Sequence, residues 1–168
     1  MKPQLDIIPQ FYHTYIRKAP ENVALPELLK NGQQKMLDYY AKETNETSNS
    51  AYAPEKWTKK EVLVHLTDTE RIFANRALRI GRGDKTPLPG FDQNDFMANV
   101  KGIDLSLKNV IAEYQATRSS TICLLNNLSE TSLAYKGTAS DNPINAGSIF
   151  WIIVGHELHH LGILEEQY

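Results

Sequence analysis

Apolar residues return at three- and four-residue steps along four long stretches of the chain, and polar tracts carrying proline or glycine separate them. That period is helical, because positions three and four apart share one face of a helix. In the first stretch Leu25, Leu28, Leu29, Met36, Leu37 and Tyr40 form the stripe and Pro26 takes a first-turn position, which predicts a helix from Leu25 to about Thr44. Gly32 lies on this stripe, where a missing side chain lets a neighbouring helix come close. The second stretch opens on Thr58-Lys59-Lys60-Glu61, a capping box in which the hydroxyl and the carboxylate each satisfy an open amide. Trp57, just before it, can staple onto Val62. The inward face of this helix reads Val62, His65, Thr69, Ile72, Arg76 and Ile80, and Gly81 and Gly83 end it after Arg79. A third helix, about Leu105 to Leu128, has the stripe Leu107, Val110, Ile111, Tyr114, Ile122 and Leu125 with Arg118 at its centre. The last helix is capped by Asn145 and is apolar on every side over residues 149–154, which makes it the most buried.

The connections complete the fold. Ile7, Ile8, Phe11, Tyr12, Tyr15 and Ile16, set between Pro3, Pro9 and Pro20, suggest a short amphipathic N-terminal helix packed as a lid. The tract from Arg82 to Asp104 contains Pro87, Pro89 and Gly90, with a turn at most over Asp92 to Val100. A helix of about 20 residues is about 30 Å long, and a connection of this length can recross it, so helices two and three can run parallel. Tyr135 to Pro143 reads as a polar connection, and no strand-like alternation is evident. The expected fold class is therefore all-α: a four-helix bundle in up-down-down-up order, with residues 1–168 forming one domain.

Composition narrows the function. The net charge is −2, with both signs interleaved, so no basic field for nucleic acid is visible. Met1 to Phe11 carries no long apolar run, and neither a signal peptide nor a membrane span is recognised, which predicts a cytoplasmic protein. The single cysteine, Cys123, excludes an internal disulfide and falls off the inward face of its helix.

The chemistry concentrates in Gly155 to Gly162, where three of the five histidines stand together. The stripe Ile149, Ile152 and Ile153 continues through His156, His160 and Ile163, so two imidazoles one turn apart face the core, with His159 on the flank. Unpaired polar groups in an apolar interior cost about 1–3 kcal/mol each, so the cluster requires partners. A hydrogen-bonded core cluster is one solution and a metal ion is the other. His65, inward on helix two with Asp68 near it in sequence, is the natural third ligand. Three neutral imidazoles leave metal positions open for water or substrate, as catalytic sites do, and suit zinc or nickel. His156-Glu157-Leu158-His159-His160 also satisfies HExxH, the metalloprotease pattern with Glu157 as general base, but only Glu165 and Glu166 follow as downstream ligand candidates and no HxxGxxH extension is present, which counts against it. Arg118 and Arg76, charged residues on inward stripes, either recognise an anion or pair with acidic neighbours.

Four segments carry a resemblance. Trp57-Thr58, His65-Leu66-Thr67-Asp68-Thr69-Glu70-Arg71, Leu88-Pro89-Gly90-Phe91-Asp92 and Gly155-His156-Glu157-Leu158-His159-His160, in this order, resemble the DinB-like (YfiT) superfamily. The resemblance implies an up-down-down-up bundle that binds a divalent metal through His65, His156 and His160. Characterised members include bacillithiol transferases and mycothiol-dependent isomerases, others are described as metal-dependent hydrolases, and homodimers are common. Where many members end in Arg-Tyr, this chain has Gln167-Tyr168. The expectation is a metal-dependent enzyme that transfers a low-molecular-weight, bacillithiol-like thiol to an electrophile, with no nucleic acid or membrane partner. In it Asp68 and His159 would fix imidazole tautomers, and Arg118 or Arg76 would hold a carboxylate. The alternatives are hydrolysis by metal-activated water with Glu157 as base, and a non-catalytic dimeric metal-binding bundle.

Overall fold

The capping signals act where the sequence puts them. In a computed structural model that describes residues 1–100, 103 and 105–168, the chain opens with 3-10 turns at Leu5–Ile7 and Gln10–Tyr12 and a short helix α1 (His13–Lys18). The long helix α2 (Leu25–Tyr40) has Pro26 in its first turn. α3 (Lys59–Gly81) starts on the complete capping box: the Glu61 amide donates to Thr58 Oγ1 at 3.1 Å and the Thr58 amide donates to Glu61 Oε2 at 2.7 Å. α4 (Gln93–Val100) is followed by α5 (Leu107–Asn126), whose Ser106 cap accepts from the Asn109 amide. After α6 (Glu130–Ala134), strands β1 (Lys136–Ala139) and β2 (Asn142–Asn145) lead into α7 (Ala146–Gln167), capped by Asn145 Oδ1, which accepts from the Ser148 amide at 2.7 Å.

The fold is mostly helical, with one correction to the all-α expectation. β1 and β2 pair antiparallel from Lys136 opposite Asn145 to Ala139 opposite Asn142. Ser140 and Asp141 both have positive φ, 50° and 60°, the geometry of a tight two-residue hairpin turn. Four-residue strands are too short for an alternation to register, and this turn lacks the glycine that usually marks it. Gly137 lies against α3: a Cβ there would stand 2.6 Å from an Ile80 side-chain carbon. The connection expected over Arg82 to Asp104 contains a full helix, α4, and is tied to the hairpin by the Leu88 amide on the Thr138 carbonyl and the Ser140 amide on the Leu88 carbonyl. Lys101, Gly102 and Asp104, also in that connection, lie outside the described residues.

In the bundle α3 packs against α5 and α7, and α2 packs against the same two. Lys60 donates to the Leu105 carbonyl, Arg71 pairs with Glu113, and a Cβ on Gly81 would meet Leu128. Along each of the four helices the core is divided in two. One apolar cluster takes Leu29, Phe73, Leu125 and Phe150, the other takes Met36, Leu63, Val110 and Leu164. Between these in sequence lie inward residues that are polar or minimal: Gly32 on α2, His65, Thr69 and Glu70 on α3, Arg118 on α5, and His156, Glu157 and His160 on α7. The middle of the bundle thus holds a polar layer between two apolar ends.

Candidate metal centre

The polar layer separates into two groups that share α3 and α7. In the first, His65 from α3 and His156 and His160 from α7 bring one nitrogen each to within 4.8 Å of one another. Nε2 of His65 lies 3.1 Å from Nε2 of His156. His65 and His156 are buried and His160 is half-buried. Burial holds His65 down at about 4 and His160 at about 3, the second with help from its neighbouring imidazoles. Burial likewise pushes His156 well below the ordinary histidine value. All three are therefore neutral at pH 7 and present lone pairs.

This donor set fits a divalent ion. Metal–nitrogen bonds of about 2.0–2.1 Å, at angles between 90° and tetrahedral, put two ligand nitrogens about 2.8–3.4 Å apart. The observed His65–His156 separation lies in that range. Two imidazoles facing each other at this distance can share one proton at most, so one hydrogen bond cannot satisfy the three rings. Among the described residues no carboxylate joins the group, which leaves the charge of a bound cation uncompensated by protein.

Aromatic rings enclose the cluster. Trp57 lies 4.7 Å from His65, centroid to centroid, besides sharing an apolar cluster with Val62, so its contact reaches further than a staple. Tyr15 of α1 packs edge-on against His156 at 5.1 Å and tilted against His159 at 5.5 Å. Gly155 makes that lid possible, because a Cβ there would stand 1.9 Å from the Tyr15 carbonyl oxygen. A cleft of about 430 Å³ opens beside His156 and is lined by Tyr12, Phe73, Arg76, Phe91 and Ser140 among others.

The remaining expected residues are elsewhere. His65 Nδ1 faces Thr69 Oγ1 at 3.4 Å, not Asp68. Asp68 stands at the edge of α3, 3.7 Å from Arg71, because its position is rotated off the histidine face. His159 is half-buried against Tyr15 and His160.

Glu157 and Arg118 form the second group and are turned to each other, away from the imidazoles. Arg118 is 1 % exposed. Its Nε and Nη2 donate to Glu70, its Nη1 and Nη2 to Glu157 at 2.9 and 2.7 Å, and Nη1 also to the Leu29 carbonyl at 2.8 Å. Tyr114 donates its hydroxyl to Glu157. Burial raises the Glu157 carboxyl, with Arg118 opposing that shift. Gly32 serves this network and not a helix backbone: a Cβ there would lie 1.9 Å from Glu157 Oε2. With every donor of Arg118 engaged, neither residue is free to act as substrate anchor or general base in this geometry. The sequence pointed to an N-terminal lid holding Tyr15, but not to its contact with His156, to Ser140 at the cleft or to the Trp57–His65 contact.

A mostly helical bundle with a buried, neutral three-histidine cluster beside an open cleft defines the class. The chain belongs to the DinB superfamily, whose family model matches residues 28–164. Among solved structures it is similar to YfiT from Bacillus subtilis, described as a probable metal-dependent hydrolase with an unusual four-helix bundle topology, with a TM-score of 0.74 at 17% identity over 89% of this chain and 90% of that one. It is also similar to a mycothiol-dependent maleylpyruvate isomerase and to a mutant of that enzyme, each with a TM-score of 0.70 at 15% identity, covering 85% of this chain and 61% of the isomerase chain. At these identities the likeness carries the fold alone. No curated protein matches the chain significantly. Among the described residues no helix is long and apolar enough to cross a membrane.

Proposed function

We propose that this protein is a metal-dependent enzyme that joins a low-molecular-weight thiol to an electrophilic substrate, with His65, His156 and His160 holding a zinc or nickel ion. The observation that carries the reading is the convergence of three neutral imidazoles, with no carboxylate among them in the described residues, one of which, His156, lines an accessible cleft. A divalent ion so held supplies Lewis acidity, which favours a thiolate over a thiol at neutral pH. The chain's own residues do the rest. With a metal on Nε2, His65 would carry its proton on Nδ1, where Thr69 Oγ1 at 3.4 Å stands to accept it. Tyr15 and Trp57 exclude water from two sides of the rings. Because the three imidazoles are uncharged, they would leave the charge of a bound divalent ion uncompensated, which would favour an anionic ligand.

An up-down-down-up helix order belongs to the same reading. It is supported by the pairing of Lys60 with Leu105 and Arg71 with Glu113 as both α3 and α5 ascend in number, and of His65 with His156 while Trp57 meets Tyr168.

Turnover of a thiol-reactive electrophile is the test, measured with a panel of low-molecular-weight thiols on zinc- and nickel-loaded protein, beside a panel of esters and amides without thiol. Thiol-dependent loss of the electrophile, absent in His156→Ala, is expected. Turnover of the esters or amides alone would make the protein a hydrolase, and turnover of neither would leave a metal-binding bundle.

A further inference from the structure

The cleft beside His156 contains a buried cation that the fold does not neutralise. Arg76 is 4 % exposed, and a desolvated guanidinium ordinarily has a carboxylate partner. Arg118 has two, Glu70 and Glu157. Among the described residues Arg76 has none within ion-pair distance. Asp92 lines the same cleft, but its Oδ1 accepts from the amides of Asn94 and Asp95 at the start of α4.

What holds Arg76 also aims it. Nη2 donates to the Pro89 carbonyl at 2.7 Å and to Ser140 Oγ at 3.1 Å, which fixes one end of the planar group to the α3–α4 connection and the hairpin turn. Phe73 and Phe91 stand 5.5 and 5.7 Å from the guanidinium carbon. A guanidinium has five N–H donors, and those on Nε and Nη1 meet no carboxylate or carbonyl among the described residues. They are not sealed in either, since Ser148 Oγ alone stands as a fully buried polar atom without a partner among those residues. The Tyr12 hydroxyl neighbours the guanidinium.

We propose that Arg76, with the Tyr12 hydroxyl beside it, recognises the carboxylate of the substrate, and that this substrate is a flat apolar carboxylate of which an aryl carboxylate is the simplest form. The charge asks for an anion, and with Nη2 committed to Pro89 and Ser140 the N–H donors left on Nη1 and Nε offer a carboxylate a charge-assisted hydrogen bond from a fixed guanidinium. The faces of Phe73, Phe91 and Tyr12 ask for an apolar body. Because His156 lines the same cleft, a molecule anchored at Arg76 presents its far end towards the histidines. The inference rests on the thiol-transfer reading only for what happens at that far end.

The test is direct binding of phenylacetate and of its neutral amide, phenylacetamide, by calorimetry on zinc-loaded wild type and variants. The wild type should prefer the acid by about tenfold or more, the worth of a charge-assisted pair. Arg76→Gln should abolish the preference, Arg76→Lys should keep part of it, and Tyr12→Phe should reduce it. The preference should persist in wild type stripped of metal by a chelator. Equal affinity for acid and amide in the wild type, or a preference that survives Arg76→Gln, overturns the proposal. So does a preference lost on chelation of the wild type and kept in Arg76→Gln, which would put the carboxylate on the metal. Should Arg76→Gln not fold, the nitrogen-15 signal of the Arg76 side chain in the wild type decides: it shifts with phenylacetate and not with phenylacetamide, and no shift overturns the proposal. A wild type that binds the acid through Arg76 but transfers no thiol leaves this proposal standing and removes the reaction.

Discussion

Single side chains in the middle of the bundle do two separate jobs, and the difference lies in one position along α7. His156 faces α3 and the cleft; Glu157, rotated by about 100°, faces α2 and α5 and meets Arg118 and Tyr114. The histidine set was legible because each imidazole falls on an apolar stripe of its own helix. The carboxylate's role was not, since its partners Arg118 and Gly32 come from two other helices and no local pattern announces them. Breaking a buried pair by removing one partner leaves an uncompensated charge and costs about 3–5 kcal/mol. Arg118→Ala should therefore lower stability by about that much in urea denaturation, and metal affinity of the molecules that remain folded should change far less. The histidines also give the metal-free protein a pH signature. Their folded values lie below the ordinary histidine value, to about 4 for His65 and about 3 for His160, so the unfolded chain binds protons first as pH falls. Stability of the metal-free protein should be full above about pH 6.5 and fall as pH drops through the range down to those folded values. His65→Ala should flatten part of that slope in melts taken between pH 7 and 4.

At the scale of elements, the four long helices were read correctly because caps and stripes are local. Thr58, Asn145 and Pro26 mark starts that the structure keeps. The first helix ends earlier than expected, at Tyr40, and the third begins at Leu107. The hairpin and α4 were hidden for a different reason: short elements take their stability from packing, and their residues carry little pattern of their own. Asp141 holds a left-handed conformation that glycine adopts without strain. Asp141→Gly should stabilise the protein by about 0.5–1 kcal/mol in thermal or chemical denaturation. The N-terminal lid provides the opposite case. Gly155→Ala drives a Cβ into the Tyr15 carbonyl, so α1 has to lift from α7. Limited proteolysis should then cut the segment before Ala24 faster than in the wild type, and His156 should become more open to solvent.

Taken whole, the molecule is two apolar clusters joined by a polar layer that a metal ion would complete. Membership of the DinB superfamily and the likeness to YfiT agree with a four-helix bundle, which the four helical stretches already indicated. A ligand that binds only the folded chain stabilises it by mass action, about 2.7 kcal/mol at a hundredfold excess over the dissociation constant. The most direct measurement is therefore metal content and melting temperature together, on protein purified without a histidine tag. The account predicts about one zinc or nickel ion per chain, a melting temperature that falls on chelation and recovers on adding the ion back, and the loss of both effects in His65→Ala. Protein that carries no stoichiometric metal, or a His65→Ala variant that binds added metal as tightly as the wild type, would contradict it.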